Sequence, residues 1–209
     1  MAEINLNVIR DQSEKSDSAQ TLLDCIDELR KTLNIHEVCG YYSKLLQPNN
    51  GFIRLCAALD ALRDSQRAID RYKTIETVNH ISGDSLFLYG ILNALYIQQD
   101  AIRTWGELIG EKIDFQYFPD TFRVRVIRDD ICHSSERRMK EGVSKYQIFI
   151  SPTSCEQYSF DYLRFETATA TQETIKVDLK KCIDDQERDI TLIIKNFTAK
   201  IYSTVNNIS

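Results

Sequence analysis

Apolar residues recur along most of this chain at steps of three and four, the spacing that lines one face of an α-helix. Leu22, Leu23, Ile26, Leu29 and Leu33 form the first such stripe. Ahead of it, residues 1 to about 16 read as a polar, solvated lead-in, and Lys15-Ser16-Asp17-Ser18 supplies candidate N-cap residues. A second helical stretch is expected from His36 to Leu46, stopped by Pro48-Asn49-Asn50-Gly51. A third runs from about Phe52 to Tyr72 with Leu55, Leu59, Leu62 and Ile69 on one side, and residues 79–84 read as a loop. The fourth, from about Ser85 to Ile109, carries Leu88, Ile91, Leu95, Ile102, Trp105 and Ile109, with Gln98 falling on the same stripe. Gly110 is a natural C-terminal stop for it. After a Phe/Tyr-rich loop, Pro119 suits the first turn of a fifth helix, about 119–136.

The pattern then changes. Lys145 to Ser151 and Gln157 to Glu166 are rich in Tyr, Phe and Ile and partly alternate, which predicts a β-hairpin around Pro152. The β-branched run Thr167 to Thr174 leaves room for a third strand. From Val177 to about Val205 the helical period returns, with Leu179, Ile183, Ile190, Ile194, Phe197 and Ile201 in register. The expected architecture is all-α: an up-and-down bundle of about five or six helices, one domain over residues 1–209, with a small β insertion at about 145–174 before the last helix.

Composition agrees with that reading and narrows the function. The 209 residues are 43% hydrophobic and 27% charged, with only 7 Gly and 3 Pro, which favours long helices over a turn-rich all-β fold. A formal net charge of -5 argues against a surface coated for generic duplex binding, though not against a local basic site. The Cys, at 25, 39, 56, 132, 155 and 182, form no Cys-x-x-Cys pair and show no zinc-ligand spacing. The N-terminus lacks an apolar signal core and no apolar run would span a membrane. The expectation is a cytoplasmic protein with reduced cysteines and no cofactor.

Within this frame the residues with most chemical promise are Arg128-Asp129-Asp130-Ile131-Cys132-His133. Of the 3 His in the chain, His133 has a guanidinium and a carboxylate close by in sequence. The window is locally basic: Arg123, Arg125, Arg128, Arg137, Arg138 and Lys140 face Asp129, Asp130 and Glu136. A His moves protons near neutral pH, and an Arg holds a phosphate bidentately and stabilises the charge that develops on it. Together they suffice for metal-independent RNA cleavage in which the 2′-OH attacks the adjacent phosphate. Asp129 and His133 share a helical face, so Asp129 can orient the imidazole. Arg128 and His133 lie about 140° apart around a straight helix. Convergence on one phosphate therefore needs a distorted helix, a helix end, or a second chain. The structural alternative is a solvated helix face with i,i+4 pairs such as Arg125–Asp129.

The motif Arg-Asp-x-x-x-His near the end of a helix, in a mostly helical chain, resembles the signature of the HEPN superfamily: an Arg, four to six residues, then a His, with a polar residue straight after the Arg. Arg128, Asp129 and His133 match those positions. Asn93-Ala94-Leu95-Tyr96-Ile97-Gln98-Gln99-Asp100-Ala101-Ile102 resembles the helix that precedes the motif in a group of HEPN-like proteins. Many members carry Asn where this chain has Asp129. Some carry a small residue and Pro around the His, where this chain has Cys132 and Ser134. The resemblance covers about residues 85–136. It implies a homodimer with a composite site at the interface and metal-independent endoribonuclease activity, with Arg128, Asp129 and His133 catalytic. Arg125, Arg137 and Arg138 are candidate RNA-phosphate contacts. Toxin–antitoxin modules, with an antitoxin partner, and antiviral defence are common settings. Other members are inactive and bind a nucleotide, RNA or protein.

Other candidates read more simply as structure. Gln98 is expected to be a buried amide bonded to neighbours, and Arg103 to pair with Asp100 or Glu107. Trp105, Phe115, Tyr117 and Phe118 are expected in the core rather than stacked on bases. Cys132 and His133 point about 100° apart, which disfavours a Cys–His nucleophile. His36 and His80 have no evident partners.

Overall fold

The computed structural model describes residues 20–47, 50–75, 85–113, 115, 118–132, 146–150 and 156–206. Among these it contains α1 (Leu22–Leu33), α2 (His36–Leu45), α3 (Gly51–Lys73), α4 (Ser85–Leu108), α5 (Pro119–Cys132), β1 (Tyr146–Ile150), β2 (Ser159–Glu166), β3 (Thr171–Asp178) and α6 (Leu179–Asn206). The chain is therefore mostly helical with a small antiparallel sheet before its last helix. No helix of the described residues is long and apolar enough to cross a membrane.

The chain divides into two compact units. The first takes residues 1–67, 97–114 and 187–209, and so includes α1, α2 and parts of α3, α4 and α6. Its stripes are buried as their spacing predicts: Leu22, Ile26, Leu29 and Leu33 on α1, Leu55, Leu59 and Leu62 on α3, Ile190, Ile194, Phe197 and Ile201 on α6. Trp105 stacks on Phe197 with ring centroids 5.2 Å apart. Gln98 is fully buried and donates to Gln66 Oε1 at 2.7 Å, while Gln66 Nε2 donates to Glu187 at 2.7 Å. The amide on the apolar stripe is thus satisfied by structural partners, as a buried polar group must be. Arg103 pairs with Asp100 at 3.0 Å. Gly106 allows the chain after α4 to fold back closely: a Cβ there would lie 2.8 Å from the Glu111 carbonyl oxygen. Gly110, at φ +80°, then takes the left-handed conformation expected of a helix stop.

The second unit takes residues 68–96 and 115–186. Its core joins Ile69, Leu88, Ile91, Leu92 and Leu95 from α3 and α4 to Val124, Ile127 and Ile131 of α5. Phe160, Tyr162, Val177, Leu179 and Ile183 complete it from the sheet and α6. The sheet order is β1-β2-β3, with Phe149 opposite Leu163 and Phe160 opposite Val177. Period-two alternation places Phe160 and Tyr162 in the core, with Ile148, Ile150 and Ile175 packed against it.

Three expectations are corrected. The insertion is a three-stranded sheet, not only a hairpin, because the Thr-rich segment continues into β3. It also extends further: Val177, read as the start of the last helix, is the inward residue of β3 opposite Phe160, and α6 begins at Leu179. A β-branched residue two positions beyond Ile175 satisfies the strand period as well as the helical one. The described N-cap of α1 is Thr21, in a reciprocal capping box with Asp24, rather than a residue of 15–18. The lead-in, the loop at 79–84, Tyr117, residues 133–136 and Pro152 lie outside the described residues.

Candidate functional site

α5 positions the motif. Pro119 opens it, where a missing N–H costs nothing, and Val124, Ile127 and Ile131 hold one face of it in the core. The other face carries Arg125, Arg128 and Asp129, each partly buried. Arg128 and Asp129 form an ion pair with Nη1 3.0 Å from Oδ1, and their side chains are 17% and 34% exposed.

The sequence-predicted Arg128 and Arg125 meet residues of α4. Arg128 Nε donates to Asn93 Oδ1 at 3.3 Å. The Arg128 guanidinium lies over the Tyr96 ring, 4.2 Å from its centroid. The Arg125 guanidinium lies 4.3 Å from the same centroid, and its Nη2 donates to the Tyr96 hydroxyl at 2.9 Å. Two cations thus share one aromatic ring, an arrangement favoured by the ring quadrupole and by guanidinium stacking. His133, Arg137 and Arg138 lie outside the described residues. Asn93 and Tyr96 fall on the preceding helix, where nothing in the sequence pattern marks either for a role.

Asp130 sits apart from this group although it is adjacent in sequence. It is 1% exposed, accepts from the Tyr162 hydroxyl at 2.9 Å, and is bonded by the Arg164 guanidinium from β2. Arg164 also lies 3.7 Å from Glu173 of β3. Burial and the neighbouring Asp130 carboxylate push the Tyr162 hydroxyl well above the ordinary phenol range, so it stays a neutral donor. The acid counted among those opposing the basic window is therefore an anchor between α5 and the sheet. Tyr162 and Arg164 had no sequence signal beyond β-strand alternation.

The remaining candidates are structural. Trp105, Phe115 and Phe118 are buried. Burial raises the Cys132 thiol pKa, opposed only in part by the Arg128 charge, which disfavours a thiolate nucleophile. Cys25, Cys39, Cys56 and Cys182 are free thiols as well. Among the described residues no three His, Cys, Asp or Glu side chains are grouped to hold a metal ion.

The arrangement can do two things: hold a phosphate through two guanidiniums, and keep Arg128 in a fixed orientation next to the start of the segment bearing His133. No family model matches the chain, and no curated protein or solved structure matches it significantly.

Proposed function

We propose that this chain is a HEPN-like, metal-independent endoribonuclease that acts on single-stranded RNA as a homodimer. The observation that carries the reading is the pairing of Arg125 and Arg128 over Tyr96, beside Asp129 and five positions before His133. In this reading Arg128 holds the scissile phosphate. His133 takes the proton from the 2′-OH, whose oxygen attacks the adjacent phosphorus, and the P–O5′ bond breaks. The leaving 5′ oxygen is protonated by a His133, its own or the partner's, giving a 2′,3′-cyclic phosphate and a 5′-hydroxyl. Asp129 orients His133, and Arg125, Arg137 and Arg138 neutralise flanking phosphates. A second chain supplies the geometry that about 140° of helical separation denies to one. A cytoplasmic toxin or defence protein, held in check by an antitoxin, is the setting the resemblance favours.

The test is incubation of the purified protein with single-stranded RNA in EDTA. Cleavage that survives chelation and disappears in both Arg128→Ala and His133→Ala is the expected result. Cleavage unaffected by His133→Ala, or none across varied RNAs, would sink the proposal. A second reading, a non-catalytic HEPN-like module binding a nucleotide, RNA or protein, is favoured by one feature: the Arg128 guanidinium is already engaged by Asn93, Asp129 and Tyr96. It predicts binding without turnover.

A further inference from the structure

We infer that Tyr96 is a positioning residue that holds Arg125 and Arg128 as a paired clamp, and that the clamp takes single-stranded RNA by its phosphodiester without contact to a base. This deepens the proposed function, on which it rests for the identity of the ligand as RNA. The starting point is distance. The guanidinium carbons lie 4.3 and 4.2 Å from one ring centroid, so the two charges are held no more than 8.5 Å apart by a shared platform. Two like charges repel; the Asp129 carboxylate, 3.0 Å from Arg128, offsets part of that repulsion, and an anion lying against both guanidiniums offsets the rest. The contact with the ring is made through the cationic charge, and it is the in-plane N–H groups of a guanidinium that bond a phosphate. Arg125 is oriented further by the Tyr96 hydroxyl, at 2.9 Å, and Arg128 by Asn93, at 3.3 Å. The clamp is therefore ordered before any ligand arrives, which lowers the conformational cost of binding.

The same geometry decides what the site reads. In sequence-tolerant single-strand binding, exposed aromatic rings stack bases. Here two guanidiniums already lie against the Tyr96 ring and the residue is only partly exposed, which leaves little of the ring for a base to stack on. What the cluster offers an RNA is positive charge with hydrogen-bond donors, which positions a backbone and carries no sequence information. Any base preference of the protein has to come from elsewhere in the chain.

The experiment measures binding of short 5′-fluorescein-labelled single strands by anisotropy, across a salt series, to the full chain carrying His133→Ala. The strands are oligouridylate, oligoadenylate and an abasic ribose-phosphate oligomer. Tyr96→Leu should weaken binding about tenfold, by an equal factor for all three strands. Tyr96→Phe, which keeps the ring and loses only the hydroxyl bond to Arg125, should restore most of the loss. Arg125→Gln, which leaves the platform intact, should lower the slope of log affinity against log salt by about 0.7. This variant keeps the test decisive even where Tyr96→Leu fails to fold. Wild-type affinity in Tyr96→Leu, an unchanged slope in Arg125→Gln, or a loss confined to base-bearing strands would overturn the inference. So would displacement of the strand by an equal concentration of inorganic phosphate, which would mark a free-phosphate site. Binding that follows these expectations while the unsubstituted chain leaves RNA intact would overturn the catalytic reading alone.

Discussion

Arg164→Met removes one member of the pair that fixes α5 to the sheet. Asp130 is 1% exposed, and its carboxylate is bonded by the Arg164 guanidinium and by the Tyr162 hydroxyl at 2.9 Å. Breaking a buried pair leaves a charge without its counterion, a loss of about 3–5 kcal/mol. Two features put this case at the low end. Tyr162 remains as a donor, and the Arg164 side chain is 21% exposed, so the pair is not fully withdrawn from water. The expected destabilisation is therefore about 3 kcal/mol, or a fall in Tm of about 6–12 °C for a chain of this size. Asp130→Asn should cost less, about 1 kcal/mol, because the amide oxygen still accepts from Tyr162 and no buried charge is stranded. Arg164 keeps Glu173 at 3.7 Å in that variant. The double variant should then resemble Asp130→Asn, giving a coupling of about 3 kcal/mol. Urea unfolding followed by far-UV circular dichroism reads all three. An Arg164→Met midpoint equivalent to less than about 0.5 kcal/mol of change, or simple additivity in the double variant, would refute the reasoning.

Tyr162 gives a pH test with a definite sign. Its hydroxyl has a raised folded-state pKa, owing first to burial and then to Asp130, so it favours the native state below the unfolded phenol value of about 10. That contribution is lost as pH rises through the folded value, and unfolding measured above about pH 10 should show a smaller decline with pH in Tyr162→Phe than in wild type; parallel declines would contradict it. Gly106→Ala should destabilise by about 1–3 kcal/mol despite alanine's better helix propensity, because the new methyl meets the Glu111 carbonyl oxygen at 2.8 Å, a clash with backbone. A Tm equal to or above wild type would show that the chain after α4 can give way.

The helical stripes were legible because burial on one face imposes a period that composition cannot hide. Leu55, Leu59, Leu62 and Ile69 on α3, and Leu88, Ile91, Leu95, Ile102 and Trp105 on α4, are all buried as their spacing requires. The end of the sheet was not, because Val177 fits both a strand alternating with Ile175 and a helix continuing to Leu179 and Ile183. Only its pairing with Phe160, across the β2–β3 hairpin, decides the matter. The site was legible in part for a related reason. Arg125, Arg128 and Asp129 are neighbours in sequence, so one chemical argument can find them together. Tyr96 and Asn93 lie 29 and 35 positions from the arginines they hold. Tyr162 and Arg164 lie 32 and 34 positions from Asp130. Contacts at that range depend on how helices and strands pack, which no local period encodes.

The consecutive residues Arg128, Asp129 and Asp130 serve different surroundings, and this explains why a sheet accompanies the basic helix. At about 100° per residue, Arg128 and Asp130 project nearly opposite ways from α5. Asp130 enters the interior, where two donors from β2 hold it; Arg128 meets Asn93 and Tyr96 of α4. A rotation of the helix by one residue would break both bonds to Asp130 and turn another polar side chain toward the apolar cluster of Val124, Ile127 and Ile131. Apolar stripes alone define such a rotation loosely, since a methyl group tolerates small displacements that a buried ion pair does not. The bonds from Tyr162 and Arg164 therefore fix the angle at which α5 presents Arg125 and Arg128. On this argument β2 supports the geometry of the guanidinium pair through the two donors it gives Asp130.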